Sequence, residues 1–539
     1  MDTAELMRLS LGLLKRAESY DAEHLAASFV EIGNVPTLLR NNDSAIIFGR
    51  RGTGKTHLLS YLASQVKGTG LVAISIDMRT IGSSSGLYTD PGINLSERAT
   101  RLLRDTANAI HERILEAYTA PSSGVFGVGI IQGLDQLSES ANALSIDGAV
   151  TREQAVQANK EQTNTASLSL GISGTSSLST SFSDNSKQIK LESERETIEG
   201  RASVRINFGS LTSALDRVVK NLPGKRLWIL LDEWSEVPLD LQPYLADMLK
   251  RGFLAVGGIT IKIAAIEHRS TLRLINEHAN QSIGIELGAD VAMSVNLDDH
   301  MVFDNDSLAA SQFFEKMLYR HVKAVAMAEK TAFDILSAED LTRQMFTQKD
   351  TFIEFVRASE GVPRDAINIL SKCALKSNSE KISMQTVRSA ARAWYSNSKQ
   401  NDIASRAKAT ALMEWIMNEV IGKRKARGFL LDAKAKDPLI DFLFDSRVLH
   451  IIKRGISSKE AEDSGKKFNA WVLDYGCYVD LFNTVAAPKG LFEAEEEVAS
   501  SQTKFVDVPQ TDYRSLRRAV LNLSTFYSAS SAAQSLEVK

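Results

Sequence analysis

Cysteine is nearly absent: two residues, Cys373 and Cys477, stand far apart in a chain of 539. Two distant thiols build neither a disulfide framework nor a cysteine-rich zinc site, so they read as buried, inert thiols in a reducing cytoplasm. The eight histidines show no metal-ligand spacing such as a His-x-x-x-His pair beside an acid. No apolar run reaches the roughly 18 residues that a membrane-spanning helix needs. The start, Met1-Asp2-Thr3-Ala4-Glu5, lacks the basic-then-apolar pattern of a secretory signal. A cytoplasmic chain with no membrane partner is expected. Net charge is nearly absent too: 63 basic against 66 acidic residues leave −3. That excludes a globally basic nucleic-acid binder but not a local basic patch. With 24% charged and 43% apolar residues, the composition is that of a soluble globular chain. One core rarely grows past about 300 residues, so three or four domains are expected.

What is present begins with α/β patterning. Residues 2–40 read as two helices with apolar stripes, including Leu6, Leu9, Leu13 and Leu14, then Leu25, Phe29 and Ile32. An apolar strand, Ser44–Phe48, enters a glycine-rich turn, a helix opens near Lys55, and a second strand covers Leu71–Ile76. That alternation starts a parallel sheet. A long helix spans roughly Ser96 to Tyr118, with Ser96 as the expected N-cap. Residues 120–200 are rich in Ser, Thr, Asn and Gln and read either as a hairpin around Leu168–Phe182 or as a polar loop. Apolar strands return at Leu227–Leu231, Ile259–Ile266 and Met293–Leu297. Helices are expected over about 307–397 and 405–425, then short strands to about 485, and an acidic tail with one helix near 511–526.

Gly49-Arg50-Arg51-Gly52-Thr53-Gly54-Lys55-Thr56 matches the P-loop pattern G-x-x-x-x-G-K-[ST]. Gly49, Gly52 and Gly54 let the loop curl, so that backbone N–H groups, that of Thr53 among them, point at phosphate oxygens. The helix N-terminus behind it adds its positive dipole end. Lys55 places a point charge on the β- and γ-phosphates. The Thr56 hydroxyl is a hard oxygen ligand for Mg²⁺. Leu230-Leu231-Asp232-Glu233 supplies the second half: an apolar strand ending in Asp-Glu, the Walker B arrangement, near the P-loop strand. Asp232 is expected to hold Mg²⁺ and Glu233 to polarise the attacking water, which points to ATP hydrolysis and not to binding alone.

Ser359-Glu360-Gly361-Val362-Pro363-Arg364-Asp365-Ala366-Ile367-Asn368-Ile369-Leu370 resembles the sensor 2 signature of AAA+ ATPases, most of all the form in origin-recognition (ORC-type) initiators. The resemblance implies that Arg364 starts a helix of a helical lid and reaches the γ-phosphate. The helix bearing Leu412, Trp415, Ile416 and Ile421, the strand Phe429–Leu431, the helix from Pro438, and the runs Arg447–Ile452 and Phe468–Leu473 resemble the winged helix that follows the lid in that family. The fold class expected is thus α/β, with an AAA+ P-loop core, a helical lid and a winged helix. The implied division is 1–40 N-terminal helices, 41–304 core with the insertion at 120–200, 305–400 lid, 401–485 winged helix and 486–539 tail.

The sequence departs from the family in two places. Arg50-Arg51 replaces the usual P-loop proline, and Glu267-His268-Arg269 stands at the sensor 1 position. Glu267 or His268 is the sensor 1 candidate; Arg269 and Arg273 are the nearest candidates for an arginine finger acting on a neighbouring subunit. Lys423, Arg424, Lys425, Arg427, Lys434, Lys436, Arg447, Lys453, Arg454, Lys459, Lys466 and Lys467 form a basic surface that suits duplex DNA. Asp432, Asp437, Asp441, Asp445, Glu460, Glu462 and Asp463 are interspersed. Two readings follow. One is an oligomeric, DNA-associated ATP switch in anti-phage defence or mobile-element maintenance. The other is a STAND-like regulatory ATPase that controls a separate effector without DNA.

Overall fold

The computed structural model describes residues 1–13, 25, 27–81, 88–90, 92–119, 128–142, 144–152, 167–168, 188–191, 194–204, 206–276, 281–423, 426, 428–457, 466–482 and 520–528. Its strands are β1 (Ala45–Phe48), β2 (Val72–Asp77), β3 (Leu144–Arg152), β4 (Ser167–Leu168), β5 (Gln188–Leu191), β6 (Glu194–Val204), β7 (Leu227–Asp232), β8 (Ile259–Ala265), β9 (Arg273–Asn276), β10 (Gln281–Gly284), β11 (Met293–Asn296), β12 (Gly428–Asp432), β13 (Leu449–Ser457) and β14 (Lys467–Leu473).

A five-stranded sheet in the order β11-β1-β8-β7-β2 organises the first domain, and all its pairs are parallel. Helices cover both faces of such a sheet, so its central strands are mostly apolar, with Thr260 and Lys262 of β8 as buried exceptions. All seven residues of β8 and the Leu227–Leu231 run of β7 are buried. The Asp-Glu strand β7 is near β1 as expected, with β8 between them. The carboxyl ends of β1 and β7 point to the same edge, where ligands of open α/β sheets bind.

The helix Leu95–Thr119 begins where the sequence suggests, but its cap is Asn94, whose Oδ1 accepts from the Glu97 N–H at 2.8 Å; Ser96 lies inside the helix. The insertion opens with a helix, Val128–Asn142, that burial of Ile130, Leu134 and Leu137 holds in place. Gly133 lets it approach Phe208–Asn221: an added Cβ would sit 2.7 Å from Val218. A four-stranded antiparallel sheet, β4-β3-β6-β5, follows, with β3 and β6 in register from Leu144–Val204 to Arg152–Glu196. Most of the expected 168–182 hairpin lies outside the described residues.

The second body is helical, from Ser307–Ala328 to Gln400–Ala404. Its apolar core also takes in Leu6, Leu9 and Leu13 from the N-terminal segment, and Arg8 pairs with Glu329 at 2.6 Å. The third body joins Ala407–Met417, the helix Pro438–Asp445 and the antiparallel sheet β12-β14-β13 around Phe429, Leu443 and Trp471. Among the described residues a single helix separates β12 from β13. Residues 520–528 return to this body: Leu521 donates to the Leu430 carbonyl, and Leu521 and Phe526 are buried in its core.

Candidate functional site

The turn between β1 and the helix Lys55–Gly68 places Gly52 (φ 89°) and Gly54 (φ 92°) in the left-handed region, which favours glycine. Gly52 has a second reason: a Cβ there would meet the Arg364 Cβ at 2.7 Å. The Thr53 hydroxyl donates back to the Arg50 carbonyl at 2.9 Å, so the loop's curl is closed from inside. Lys55 Nζ donates to the carbonyls of Gly49 (2.8 Å) and Arg50 (3.0 Å). Burial lowers the Lys55 pKa, against the raising charges of Glu233, Asp232 and Asp298. All these contacts hold the ammonium at the mouth of the loop.

Parallel pairing sets Asp232 level with Asp77 of β2. Burial raises the pKa of Asp232, while the hydrogen bond from Thr56, the Glu233 N–H and the Lys55 charge draw it back. Glu233 adopts φ 53° and ψ 39°, turning the chain away after the strand. Burial raises its pKa first, and Lys55 and Arg79 oppose that rise. The Thr56 hydroxyl and the Asp232 carboxylate are therefore neighbours, a hard oxygen pair of the type Mg²⁺ takes. Lys55, Thr56, Asp232 and Glu233 come together as the motifs imply. Asp77, paired with Arg79 at 2.6 Å, and Arg51, paired with Glu236 at 2.6 Å, also border the site. Asp77 was readable only as the polar end of the Leu71–Ile76 run.

The lid reaches the loop directly. The Arg364 N–H, at the start of the helix Pro363–Lys376, donates to the Gly52 carbonyl at 3.2 Å, and its charge acts on Lys55. The third body reaches it as well. Arg447 donates to the Arg51 carbonyl at 3.4 Å. Consecutive P-loop carbonyls, at Arg51 and Gly52, are thus held by the C-terminal body and the lid.

Arg50 is the centre of this junction. Its side chain is 0% exposed. Its N–H and Nε donate to the two oxygens of Asp298 at 2.9 and 2.7 Å, and Nη2 to the Glu360 carbonyl at 3.3 Å. Nη1 bonds His450 Nδ1, and the guanidinium lies 5.1 Å from the Phe444 ring centre. Since arginine only donates, His450 Nδ1 accepts, and Nε2–H donates to Asp474 at 3.1 Å. Burial and the Arg50 charge push the His450 pKa down to about 3, so the ring is neutral. Asp474 pairs with Lys399 at 2.5 Å, Lys399 with Asp365 at 2.8 Å, and Asp365 with Arg447 at 3.5 Å. A π-turn over Tyr395–Lys399 carries Lys399 into this junction. Three cations (Arg50, Lys399, Arg447) balance three carboxylates (Asp298, Asp365, Asp474), all buried.

Of the sensor 1 and finger candidates, Glu267, His268 and Arg269 lie on a second contact with the C-terminal body, and Arg273 pairs within the core. Glu267 accepts from Arg454 at 2.8 Å and from Asn296 at 2.9 Å. His268 pairs with Asp441 at 3.0 Å, and Arg269 with Asp445 at 3.3 Å. Arg273 pairs with Glu286 at 3.1 Å. Each of the four has a carboxylate or cationic partner within this chain. Lys459, Glu460, Glu462, Asp463, Arg424, Lys425 and Arg427 lie outside the described residues. No group of three or more His, Cys, Asp or Glu among the described residues has metal-site geometry, and no described helix is long and apolar enough to cross a membrane.

Residues 13–69, which contain the P-loop, match the ORC-CDC6-like family model. No curated protein matches the chain. Among solved structures, the chain is similar to the ORC1 protein of Aeropyrum pernix in complex with DNA, at 12% identity and a TM-score of 0.29, over 84% of this chain and 91% of that one.

Proposed function

We propose that the chain is an ORC-like AAA+ ATPase, binding ATP with Mg²⁺, hydrolysing it, and using the cycle as a conformational switch. The observation that carries this reading is the convergence of Lys55, Thr56, Asp232, Glu233 and Arg364 on one loop at the carboxyl edge of the sheet. The ORC-CDC6-like match over residues 13–69 supports it. Thr56 and Asp232 would hold Mg²⁺, which supplies charge for the phosphate oxygens. Backbone N–H groups of Gly52 and Gly54 cradle the phosphates, while that of Thr53 donates to the Arg50 carbonyl at 3.3 Å; Gly49 lets the loop turn in from β1, and Lys55 neutralises the transferred group. Glu233 takes a water proton as the water attacks the γ-phosphorus; the bond to the β-phosphate oxygen breaks and ADP leaves. Arg364 reads the γ-phosphate from the lid.

Duplex DNA is the partner that the basic C-terminal surface suits, alongside further copies of the chain or a partner protein. One observation favours the second reading, a regulatory ATPase in which the C-terminal body is a joint. Arg447, Arg454 and the helix Pro438–Asp445 face the core, not solvent partners. Steady-state ATP hydrolysis with and without duplex DNA separates the two, with Glu233→Gln as the blank. The variant is expected to lose about 10²–10⁴-fold in kcat while still binding nucleotide. Stimulation by DNA that fades with salt supports the clamp. Hydrolysis indifferent to DNA supports the joint, and hydrolysis unchanged in Glu233→Gln sinks the site.

A further inference from the structure

We propose that Arg50 is a positioning residue through which docking of the C-terminal body and nucleotide binding reinforce one another; this rests on the nucleotide reading of the P-loop. Phosphate is gripped by backbone N–H groups, so affinity depends on how well the loop's curve is held beforehand. Arg50 holds that curve at its first turn. Its N–H and Nε share one carboxylate, Asp298, on the core. The remaining guanidinium nitrogens go to His450 on the C-terminal body and to the Glu360 carbonyl on the lid. One residue later, the Arg51 carbonyl accepts from Arg447. Withdrawal of the C-terminal body thus takes away one Arg50 partner and the ligand of the next carbonyl together. Nη1 is then left to water and the Arg51 carbonyl loses its ligand, so the loop is braced only through Asp298 and the Glu360 carbonyl and its curve loosens.

Coupling free energy is reciprocal. If docking pre-forms the loop, nucleotide must in turn tighten docking. This gives the departure from the family's P-loop a purpose: Arg50 ties the loop to a domain some 400 residues away in sequence. It also makes His450, neutral and bridging Arg50 to Asp474, the contact to break.

The test uses the full chain and a fluorescent ATP analogue. His450→Leu removes both ring bonds. His450→Asn keeps an acceptor where Nδ1 stood and serves as the rescue. Arg454→Glu loosens the same docking from outside the buried junction, because it sets a carboxylate against Glu267 and Asp299, which Arg454 now meets at 2.8 and 3.5 Å. Both His450→Leu and Arg454→Glu are expected to weaken nucleotide binding about tenfold, with a much smaller fall in kcat at saturating ATP; His450→Asn recovers most of the affinity. In the wild type, saturating nucleotide slows amide exchange in β13 and β14. Wild-type affinity in a folded Arg454→Glu or His450→Leu chain overturns the proposal, as does exchange in β13 and β14 that ignores nucleotide. A wild-type chain that binds no more analogue than Lys55→Ala fails differently: it removes the nucleotide site itself.

Discussion

Lys399→Met is the most direct trial of the buried junction. Lys399 is 1% exposed and is shared by Asp365 at 2.8 Å and Asp474 at 2.5 Å. Burial alone would raise Asp474, yet Lys399 and His450 outweigh it and hold the carboxyl at about 2. Against an ordinary value near 3.9, that is about 3 kcal/mol of stability at neutral pH. Removing one partner of a buried pair costs about 3–5 kcal/mol. Here Arg447 remains 3.5 Å from Asp365 and His450 3.1 Å from Asp474, so the loss belongs at the lower end, about 3 kcal/mol. Urea unfolding followed by tryptophan fluorescence reads it, because Trp415 and Trp471 report on the C-terminal body. The sign with pH is fixed. A carboxylate whose folded pKa is depressed stabilises above its unfolded pKa and loses that contribution as pH falls through the folded value. Wild-type stability from Asp474 therefore drains between about pH 4 and 2. In the variant Asp474 titrates higher, so its deficit shrinks on going from pH 7 to pH 4. Adding Asp474→Asn to Lys399→Met restores the charge balance and recovers at least about half of the loss. A deficit below about 1 kcal/mol at pH 7, or one that does not change with pH, refutes the reasoning.

Phe429, fully buried, stacks on Trp471 with ring centres 6.4 Å apart; Phe429→Ala is expected to cost about 3–5 kcal/mol and to split off an early C-terminal transition in calorimetry, and a single unshifted transition contradicts this. His268 and Asp445 make docking sensitive to pH. Burial would lower His268, but its bond to Asp441 and the charges of Asp441 and Glu267 outweigh that, against Arg454, and leave its pKa raised. Burial lifts Asp445 to about 6 in spite of Arg269, His268 and Arg51, with Asp441 adding to the lift. A raised pKa means stability present below the unfolded value and lost as pH climbs through the folded one: from about 4 to 6 for Asp445, and above about 6.5 for His268. Amide protection of the helix Pro438–Asp445, corrected for intrinsic rates, is therefore expected to fall between pH 6 and 8 and to flatten in His268→Gln; protection that ignores pH in the wild type removes the idea.

The parts of this molecule that were readable in sequence are those whose physics is local. Gly49–Thr56 needs glycines at fixed offsets, and β7 needs an apolar run ending in acid, so both announced themselves. The helix Val128–Asn142 was also local, with Ile130, Leu134, Leu137 and Ala141 at helical spacing, but its Ser and Gln content resembles a loop. Strand order was not local: that β8 would come between β1 and β7 depends on which crossovers bury their helices. Least legible was Arg50, whose partners Asp298 and His450 lie 248 and 400 residues away. The mixed charge of residues 430–470 shows why pattern alone misleads there. A surface built only to grip phosphate has no use for acids among its arginines. Asp441 and Asp445 are there because His268 and Arg269 face them, and Arg454 is there because Glu267 and Asp299 face it. The signs of Asp441, Asp445 and Arg454 are answered by opposite signs on the core. Interspersed charge that reads as a solvated face in one chain segment is, in the folded molecule, half of a docking interface whose other half is the loop after β8.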